Sequence, residues 1–487
     1  MSTAGPTISL RLGAAIAAGV PMLVLVSMGP VAALTGPASV AVWGFSALVG
    51  FFMALAFAEL ASSYPHVNGG VAVVAAQVLR PFSALLGRVG QWSYWLGWSP
   101  ALAVNALLIG VYGQRLLAPN TPQWTAVLLA TVVLAGSVAV NHLGMTASGR
   151  AQAVLLNCVV VVVALLFAGA ILRGSTDTGR LTPFAPPGGW GSAGGWLAVS
   201  GALFLAGWSA YGSELALAYA TRYRRGARDA VRVLAAVALA GVVVFVGIPL
   251  LTVVTVGAQT AQGDPAVVFA ALSERAVAGA GTVVLAVLVL ALLLGLNMIA
   301  VGSSWTLHQM AATGDAPRFL GRLNRHGMPG NALRFDLAVN VGLLLVITAL
   351  AGGRTAGVPV ALLAAANVGY FVSMCIALAA SWYNHRHGTV RGPVRLRAGL
   401  ARTVPLLIGL NLVLLGAAGQ VWGWRNVVVG AAVLAAATVL ARAGSRRAAP
   451  ARAPVAATGP PGCWIAASEA ARSAHPSTRG QPEQGAS

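Results

Sequence analysis

Residues 19–30 read Gly19-Val20-Pro21-Met22-Leu23-Val24-Leu25-Val26-Ser27-Met28-Gly29-Pro30. The stretch is apolar enough to lie in a membrane, yet it holds two prolines and two glycines in twelve residues. A proline lacks the N–H that a helix interior needs and clashes with the turn before it. In hydrocarbon no water satisfies the freed backbone groups, so such a break is tolerated only where it lines a cavity or is buried in protein. A second stretch behaves alike. Residues 201–214 read Gly201-Ala202-Leu203-Phe204-Leu205-Ala206-Gly207-Trp208-Ser209-Ala210-Tyr211-Gly212-Ser213-Glu214, with three glycines, hydroxyl side chains and an acid deep in an apolar run. Interrupted segments at the start of each half of a polytopic chain point to a carrier with a site near the membrane midplane. Packing glycines and proline kinks would explain either break alone; they explain less well two breaks set five spans apart.

Outward from these stretches the composition agrees. Of 487 residues, 58% are hydrophobic and 8% charged, and the mean hydropathy is +0.81; an ordinary soluble domain carries roughly 25% charged residues. That balance excludes a soluble enzyme, a disordered chain and a secreted disulfide scaffold. A transmembrane helix takes about 20 apolar residues. Apolar runs between charged or Pro/Gly-rich breaks give twelve of them, over residues 12–35, 38–63, 88–117, 123–141, 147–172, 196–222, 231–256, 279–312, 332–351, 358–383, 404–421 and 426–442. The expected fold class is an all-α polytopic membrane protein with twelve transmembrane helices. Trp92, Trp95, Trp98, Trp124, Trp190, Trp196, Trp422 and Trp424 fall near predicted span ends, where amphipathic indoles suit the headgroup layer.

All 30 basic residues are arginine, and the net charge is +20. Beside apolar spans such an excess marks cytoplasmic loops rather than a nucleic-acid surface. With the N-terminus inside, 24 arginines fall in cytoplasmic segments and 6 outside. Both termini are therefore expected in the cytoplasm and the chain in the cell membrane. The expected organisation is a cytoplasmic N-terminus over 1–11, a transporter domain over 12–442 and a disordered cytoplasmic tail over 443–487, rich in Ala, Pro, Arg, Ser and Gln. Cys158 and Cys375 sit in apolar runs and Cys463 in the tail, which gives neither a disulfide framework nor metal spacing. A chain without lysine has no phosphate-binding loop ending in Lys, so ATP-driven transport by this chain alone is excluded. The first apolar run lacks a cleavage site and is long enough to span, which argues against a cleaved signal peptide. The spans hold no paired acids, histidine cluster or nucleophile–base arrangement, so neither an intramembrane enzyme nor a cofactor is expected.

Span 2 ends Ala58-Glu59-Leu60-Ala61-Ser62-Ser63-Tyr64-Pro65-His66-Val67-Asn68-Gly69-Gly70. This resembles the "AELA…P…GG" signature of amino acid–polyamine–organocation permeases. Gly29-Pro30-Val31-Ala32-Ala33 with Gly36-Pro37 resembles the family's junction of helices 1 and 2, and Arg80-Pro81 with Gly90-Gln91-Trp92-Ser93-Tyr94-Trp95 its loop and helix 3. Gly212-Ser213-Glu214 is similar to "GFE", and Ser303-Ser304-Trp305-Thr306-Leu307-His308-Gln309-Met310 followed by Gly314-Asp315-Ala316-Pro317 resembles "SSRTLYQMARDG-LP". The likeness covers about residues 10–440, in order and at matching spacings. It implies a LeuT-like 5+5 inverted repeat: helices 1–5 over 12–172, helices 6–10 over 196–383, and two C-terminal helices over 404–442. It also implies a secondary active transporter for an amino acid or related amine, working by alternating access with a proton or other coupling ion, or as an exchanger. Alternatives are a transport-incompetent ligand sensor on the same fold and a polyamine or organic-cation carrier. A major-facilitator carrier is disfavoured, because its usual loop signature is absent between Pro65 and Arg88.

The resemblance places the substrate carboxylate at an unwound "G-x-G-I-F" stretch of helix 1, here Pro21, Met22, Leu23, Val24 and Leu25. Leu23 replaces a glycine there, so the site is expected to be narrower and more apolar, or the break shifted by a residue or two. In helix 6, Gly212 marks the break. Trp208 is either a lid over the ligand or core packing, and Ser209 and Tyr211 offer hydroxyls. Asn105 and Asn297 are polar at depth, as ligand contacts or helix–helix hydrogen bonds. Glu214 is read as the one acid well within a span, and an ionisable residue there is a functional candidate, here for coupling. Its bland alternative is to cap backbone groups freed by the break. The lysine that some relatives use as a proton carrier in helix 5 is absent, and Ser303 and Ser304 are weak support for sodium. Glu59 is expected to pair with a loop arginine, His142 to lie at an interface and His308 to pack.

Overall fold

The computed structural model describes residues 8–277, 279–350, 357–388 and 392–447, and these are helical almost throughout. The first span is three pieces: α1 (Leu10–Ala17), α2 (Gly19–Met22) and α3 (Val24–Thr35). After a 3-10 turn at Gly36–Ala38 comes α4 (Ser39–Ser63), then α5 (Gly70–Leu79). The third span is divided at Ser99 into α6 (Ala84–Trp98) and α7 (Pro100–Leu117), because Pro100 cannot continue the hydrogen-bond ladder. α8 (Trp124–His142) and α9 (Met145–Leu172) complete the first half. The second opens with α10 (Ala193–Ala210), continued by a 3-10 segment at Gly212–Arg222, and then α11 (Ala227–Val256). The short α12 (Ala258–Ala261) and α13 (Pro265–Ala276) lead into α14 (Gly281–Ala312), α15 (Gly330–Leu350) and α16 (Val358–His387). α17 (Ala398–Ala401), α18 (Val404–Trp422) and α19 (Trp424–Arg447) end the described chain.

Among the described residues, eleven segments are long and apolar enough to cross a membrane. The first, Leu10–Ser63, has 54 residues. As one helix it would run about 80 Å, against roughly 30 Å of hydrocarbon. The chain is a multi-pass membrane protein. Most span boundaries expected from the apolar runs agree with these segments to within about four residues, the usual uncertainty of such boundaries; the segment Ala398–Trp422 begins earlier than the expected 404. α5 and α13 were not expected. Both are short helices between spans. The tail boundary also moves: α19 continues to Arg447, five residues beyond the expected start of disorder at 443, while residues 448–487 lie outside the described residues.

The pieces of span 1 divide their packing. α1 lies against α9 and α11, α2 against α14, and α3 against α10. Close approach makes this possible: a Cβ at Gly19 would overlap the carbonyl oxygen of Leu294 on α14. Polar bridges fix the surrounding scaffold. Asp315, just after α14, accepts from Arg88 Nε at 2.9 Å, Arg80 at 3.3 Å and Gln91 at 3.3 Å, and its carbonyl takes Trp92 Nε1–H at 3.2 Å. Glu59 pairs with His385 Nδ1 at 2.9 Å, a helix partner rather than the expected loop arginine. His142 Nδ1 lies 2.9 Å from the Val138 carbonyl on its own helix, and His308 packs its ring against Trp305.

The aromatic belt needs correcting. Trp124, Trp190, Trp196 and Trp424 are exposed, as indoles at a membrane surface should be, but Trp92, Trp95 and Trp98 are buried. Those three lie along α6 inside the bundle, where their N–H groups all find protein acceptors.

Candidate substrate site between two broken helices

The two interruptions are local tightenings rather than extended gaps. At Leu23 the backbone stays right-handed (φ −63°, ψ −16°). The Leu23 N–H donates to the Val20 carbonyl at 3.0 Å, and the Val26 N–H to the Leu23 carbonyl at 3.1 Å. Pro21 contributes no N–H, so its turn cannot regain the regular ladder. In span 6 the helix gives way after Tyr211 to the 3-10 winding, with Tyr219 non-helical at φ −122°, ψ 36°. A 3-10 stretch inside a long helix marks a hinge, since its hydrogen bonds are poorer than those of an α-helix. Gly212 has a steric reason: a Cβ there would stand 2.9 Å from Trp98 Cη2 and 3.4 Å from Val20 Cγ1.

Hydroxyl groups join the two breaks. Ser209 Oγ donates to the Leu23 carbonyl at 3.2 Å and lies 2.9 Å from Ser27 Oγ. These contacts are buried and link residues 182 or more apart in sequence. The Leu23 side chain points to α14: a Cβ at Gly295 would lie 3.3 Å from Leu23 Cδ2 and 3.2 Å from Asn105 Oδ1. Asn105 Nδ2 donates to the Ala101 carbonyl, while its Oδ1 is buried without a partner.

Beneath the second break lies Glu214, fully buried. Its Oε1 accepts from Trp98 Nε1 at 3.2 Å and from Tyr370 Oη at 3.2 Å, and its Oε2 has no hydrogen-bond partner. Trp208 packs against Trp98 with centroids 5.2 Å apart and planes tilted by 45°, and donates Nε1–H to the Gly97 carbonyl, and Tyr211 packs on Phe371 at 5.8 Å. Thus Leu23, Asn105, Ser209, Gly212, Trp208, Tyr211 and Glu214 converge around the two breaks.

Three expected residues do not join them. Asn297 is bound into a separate network, accepting from Asn141 at 2.8 Å and donating to Gln152 at 2.8 Å and Ser148 at 3.1 Å. That is helix–helix bonding. Met22 and Leu25 face an apolar void with Val159, Ile248 and Phe269, whose 10 Å³ leaves room for a water at most. Pro21 and Val24 are buried in the break itself. Residues that sequence reasoning missed are Ser27, Trp98, Tyr370 and Phe371. Trp98 carried a signal, its place in a tryptophan-rich helix, but a span-end position was the simpler reading.

Cavities lie toward both ends of the bundle. A cavity of 490 Å³ opens beside α3 and α7, lined by Val26, Pro30, Val111, Tyr112, Arg115 and Asp264. At the end that carries the arginines 222–228, a cavity of 400 Å³ lies among Pro65, His66, Thr221, Arg224 and Arg228, and the backbone beside it is tied together. Ile8 exchanges backbone hydrogen bonds with Arg222 and Arg224, the Gly69 N–H donates to the Ala218 carbonyl at 2.7 Å, and Asn68 clasps Thr221.

Two interrupted helices joined by hydroxyls, with a buried acid beside them, are the layout of a membrane carrier for a small molecule. Residues 8–437 match the family model described as amino acid permease, and the chain belongs to that family. It is an amino acid transporter of the amino acid–polyamine–organocation superfamily and not an enzyme. The lysine-specific permease LysP of Escherichia coli (strain K12) is 26% identical over 375 residues, 70% of this chain and 70% of that protein. The uncharacterized amino acid permease YecA of Bacillus subtilis (strain 168) is 27% identical over 326 residues, 65% of this chain and 70% of its own. The lysine-specific permease LysP of Lactococcus lactis subsp. cremoris (strain MG1363) is 24% identical over 321 residues, 62% and 60% of the two chains.

The position of Leu23 leads to a prediction. Leu23→Gly opens space beside Asn105 and Gly295 and is expected to change KM or admit a larger substrate; Leu23→Trp has no room and is expected to block transport. Because truncating a buried leucine to alanine typically costs about 2–5 kcal/mol, kinetics are compared at equal amounts of folded protein. Unchanged uptake kinetics for both variants would show that Leu23 does not border the substrate.

Proposed function

We propose that the chain concentrates an amino acid or related amine across the cytoplasmic membrane by alternating access, with twelve crossings arranged as a 5+5 inverted repeat plus two helices. The observation that carries this reading is the Ser27–Ser209–Leu23 bridge between the two broken helices. A zwitterion entering there replaces a protein–protein link with its own polar groups, its carboxylate favoured by the positive helix ends. Trp208, Tyr211 and Gly212 would border its side chain, with Asn105 behind Leu23. Glu214 would be the coupling group, because a buried carboxyl with one unpartnered oxygen gains from taking a proton. The named lysine permeases make lysine the first substrate to test, and an unpaired acid beneath the site suits a cationic side chain. Competition uptake across the amino acids and polyamines decides the class. Ligand binding without uptake into vesicles would instead favour a sensor, and competition by polyamines alone an organic-cation carrier.

Orientation follows from the arginine distribution, with both termini and the loop from Arg386 to Arg402 in the cytoplasm. The 400 Å³ cavity at the arginines then faces the cytoplasm and the 490 Å³ cavity faces outside. A single cysteine at Arg391, a position outside the described residues, is expected to react with an impermeant maleimide only after permeabilisation. Labelling of intact cells would reverse the topology.

A further inference from the structure

Glu214 has a counterpart that the apolar runs concealed. Asp336 is the seventh residue of α15 and is buried, 1% exposed. Its Oδ1 accepts from Trp95 Nε1 and from Ser99 Oγ, each at 3.0 Å. Its Oδ2 has no partner. Ser303 of α14, also buried at 1% exposure, faces this carboxyl, and its Oγ has no partner either. The other polar groups nearby are engaged. Asn340 Nδ2 donates to Ser99 Oγ at 3.0 Å and to the Asp336 carbonyl at 2.9 Å, and Asn340 Oδ1 takes the Ala103 N–H at 3.2 Å. Among the described residues no arginine or histidine is ion-paired with Asp336, and Arg334, on its own helix, is exposed.

A buried carboxylate with neither a counter-charge nor a second set of donors is costly, and burying a charge unpaired drives it to neutralise. Hard metal cations such as Ca²⁺ and Mg²⁺ gather about six or more oxygens. Here only Asp336 Oδ2 and Ser303 Oγ are unengaged, so a proton fits and a metal ion does not. We propose that Asp336 is a second proton-binding site of the carrier: one proton binds Oδ2, which then donates to Ser303 Oγ. The bond ties α14 to α15 and to the joint between α6 and α7 at Ser99. On deprotonation the bond reverses, the Ser303 O–H donating to the carboxylate, so the proton sets the direction of the link to α14, the helix against which α2 and Leu23 pack. This extends the transport reading by giving the moving parts a second control point.

The test uses the full-length protein in lipid, with pH varied at fixed sodium and then sodium varied at fixed pH. Infrared difference spectra between acid and alkaline pH are expected to show a carboxylic acid C=O band that Asp336→Asn removes and Glu214→Gln leaves. Ser303→Ala is expected to shift that band to higher frequency by removing its hydrogen-bond acceptor, which keeps the test open should Asp336→Asn fold poorly. In vesicles, Asp336→Asn is expected to lower pH-gradient-driven lysine accumulation at least tenfold relative to lysine counterflow. An unchanged band pattern in Asp336→Asn, or a band that responds to sodium rather than pH, would overturn the proposal. Absence of transport of any amino acid by the wild type would sink the transport reading alone, since the infrared band reports the proton site independently.

Discussion

Glu214→Gln is expected to lower proton-driven accumulation sharply while leaving exchange measurable. The glutamine keeps the size of the side chain and an acceptor for Trp98 Nε1–H and Tyr370 O–H, so the local hydrogen bonds survive. It cannot titrate. A proton gradient acts on a carrier only through a group whose occupancy differs between its states. With the membrane potential held at zero, the ratio of internal to external substrate should therefore fall to what the remaining titrating group, Asp336, can sustain. Counterflow of labelled substrate needs no proton and should persist. Should Glu214→Gln concentrate substrate with wild-type dependence on pH, Glu214 is a structural acceptor and coupling lies elsewhere, with Asp336 the next group to examine.

Gly212→Val is expected to suppress transport by a different route. The first atom of any side chain at 212 meets Trp98 Cη2 at 2.9 Å. Trp98 cannot swing aside cheaply, since it packs against Trp208, donates to Glu214 and meets Tyr370 edge-on at 5.4 Å. Overpacking of this kind costs about 1–3 kcal/mol, and a coupling term of that size changes an affinity about 5–150-fold. The expected signature is a fall in uptake together with a changed near-ultraviolet circular dichroism signal from the tryptophan pair. Wild-type uptake with an unaltered aromatic spectrum would mean that the hinge tolerates a side chain and that Gly212 serves only backbone flexibility.

Much of this architecture was legible because hydrocarbon imposes strong rules. The lengths of apolar runs, the placement of arginines and the proline-bearing break each answer to a single solvent, so α4, α8, α9, α11, α14 and α16 could be read almost residue by residue. The site was only half legible. Ser209, Gly212 and Glu214 stood out because glycine, hydroxyl and acid are unusual in such a run. Trp98 and Tyr370 did not, since an aromatic residue is at home at a membrane surface, in a core or over a ligand. Asn297 and Asn105 offered the same two readings, ligand contact or helix–helix hydrogen bond, and only the tertiary structure gives the partners of Asn297 on α8 and α9. Asp336 escaped notice because the apolar run was begun at 332. The helix actually starts at Gly330, and Asp336 lies well inside the bundle.

What the sequence determined by itself was the solvent, the positions of most spans, the two breaks and the family likeness. Each follows from local composition or from short motifs, and a residue's cost in hydrocarbon depends little on which helix lies beside it. Pairing was decided only in the tertiary structure. Ser209 meeting the Leu23 carbonyl, Trp98 capping Glu214 and Ser303 facing Asp336 join positions separated by 33 to 186 residues. Such contacts depend on how broken helices tilt and close on one another. That tilt is set by the sum of many small packing terms, and no single stretch of sequence carries it.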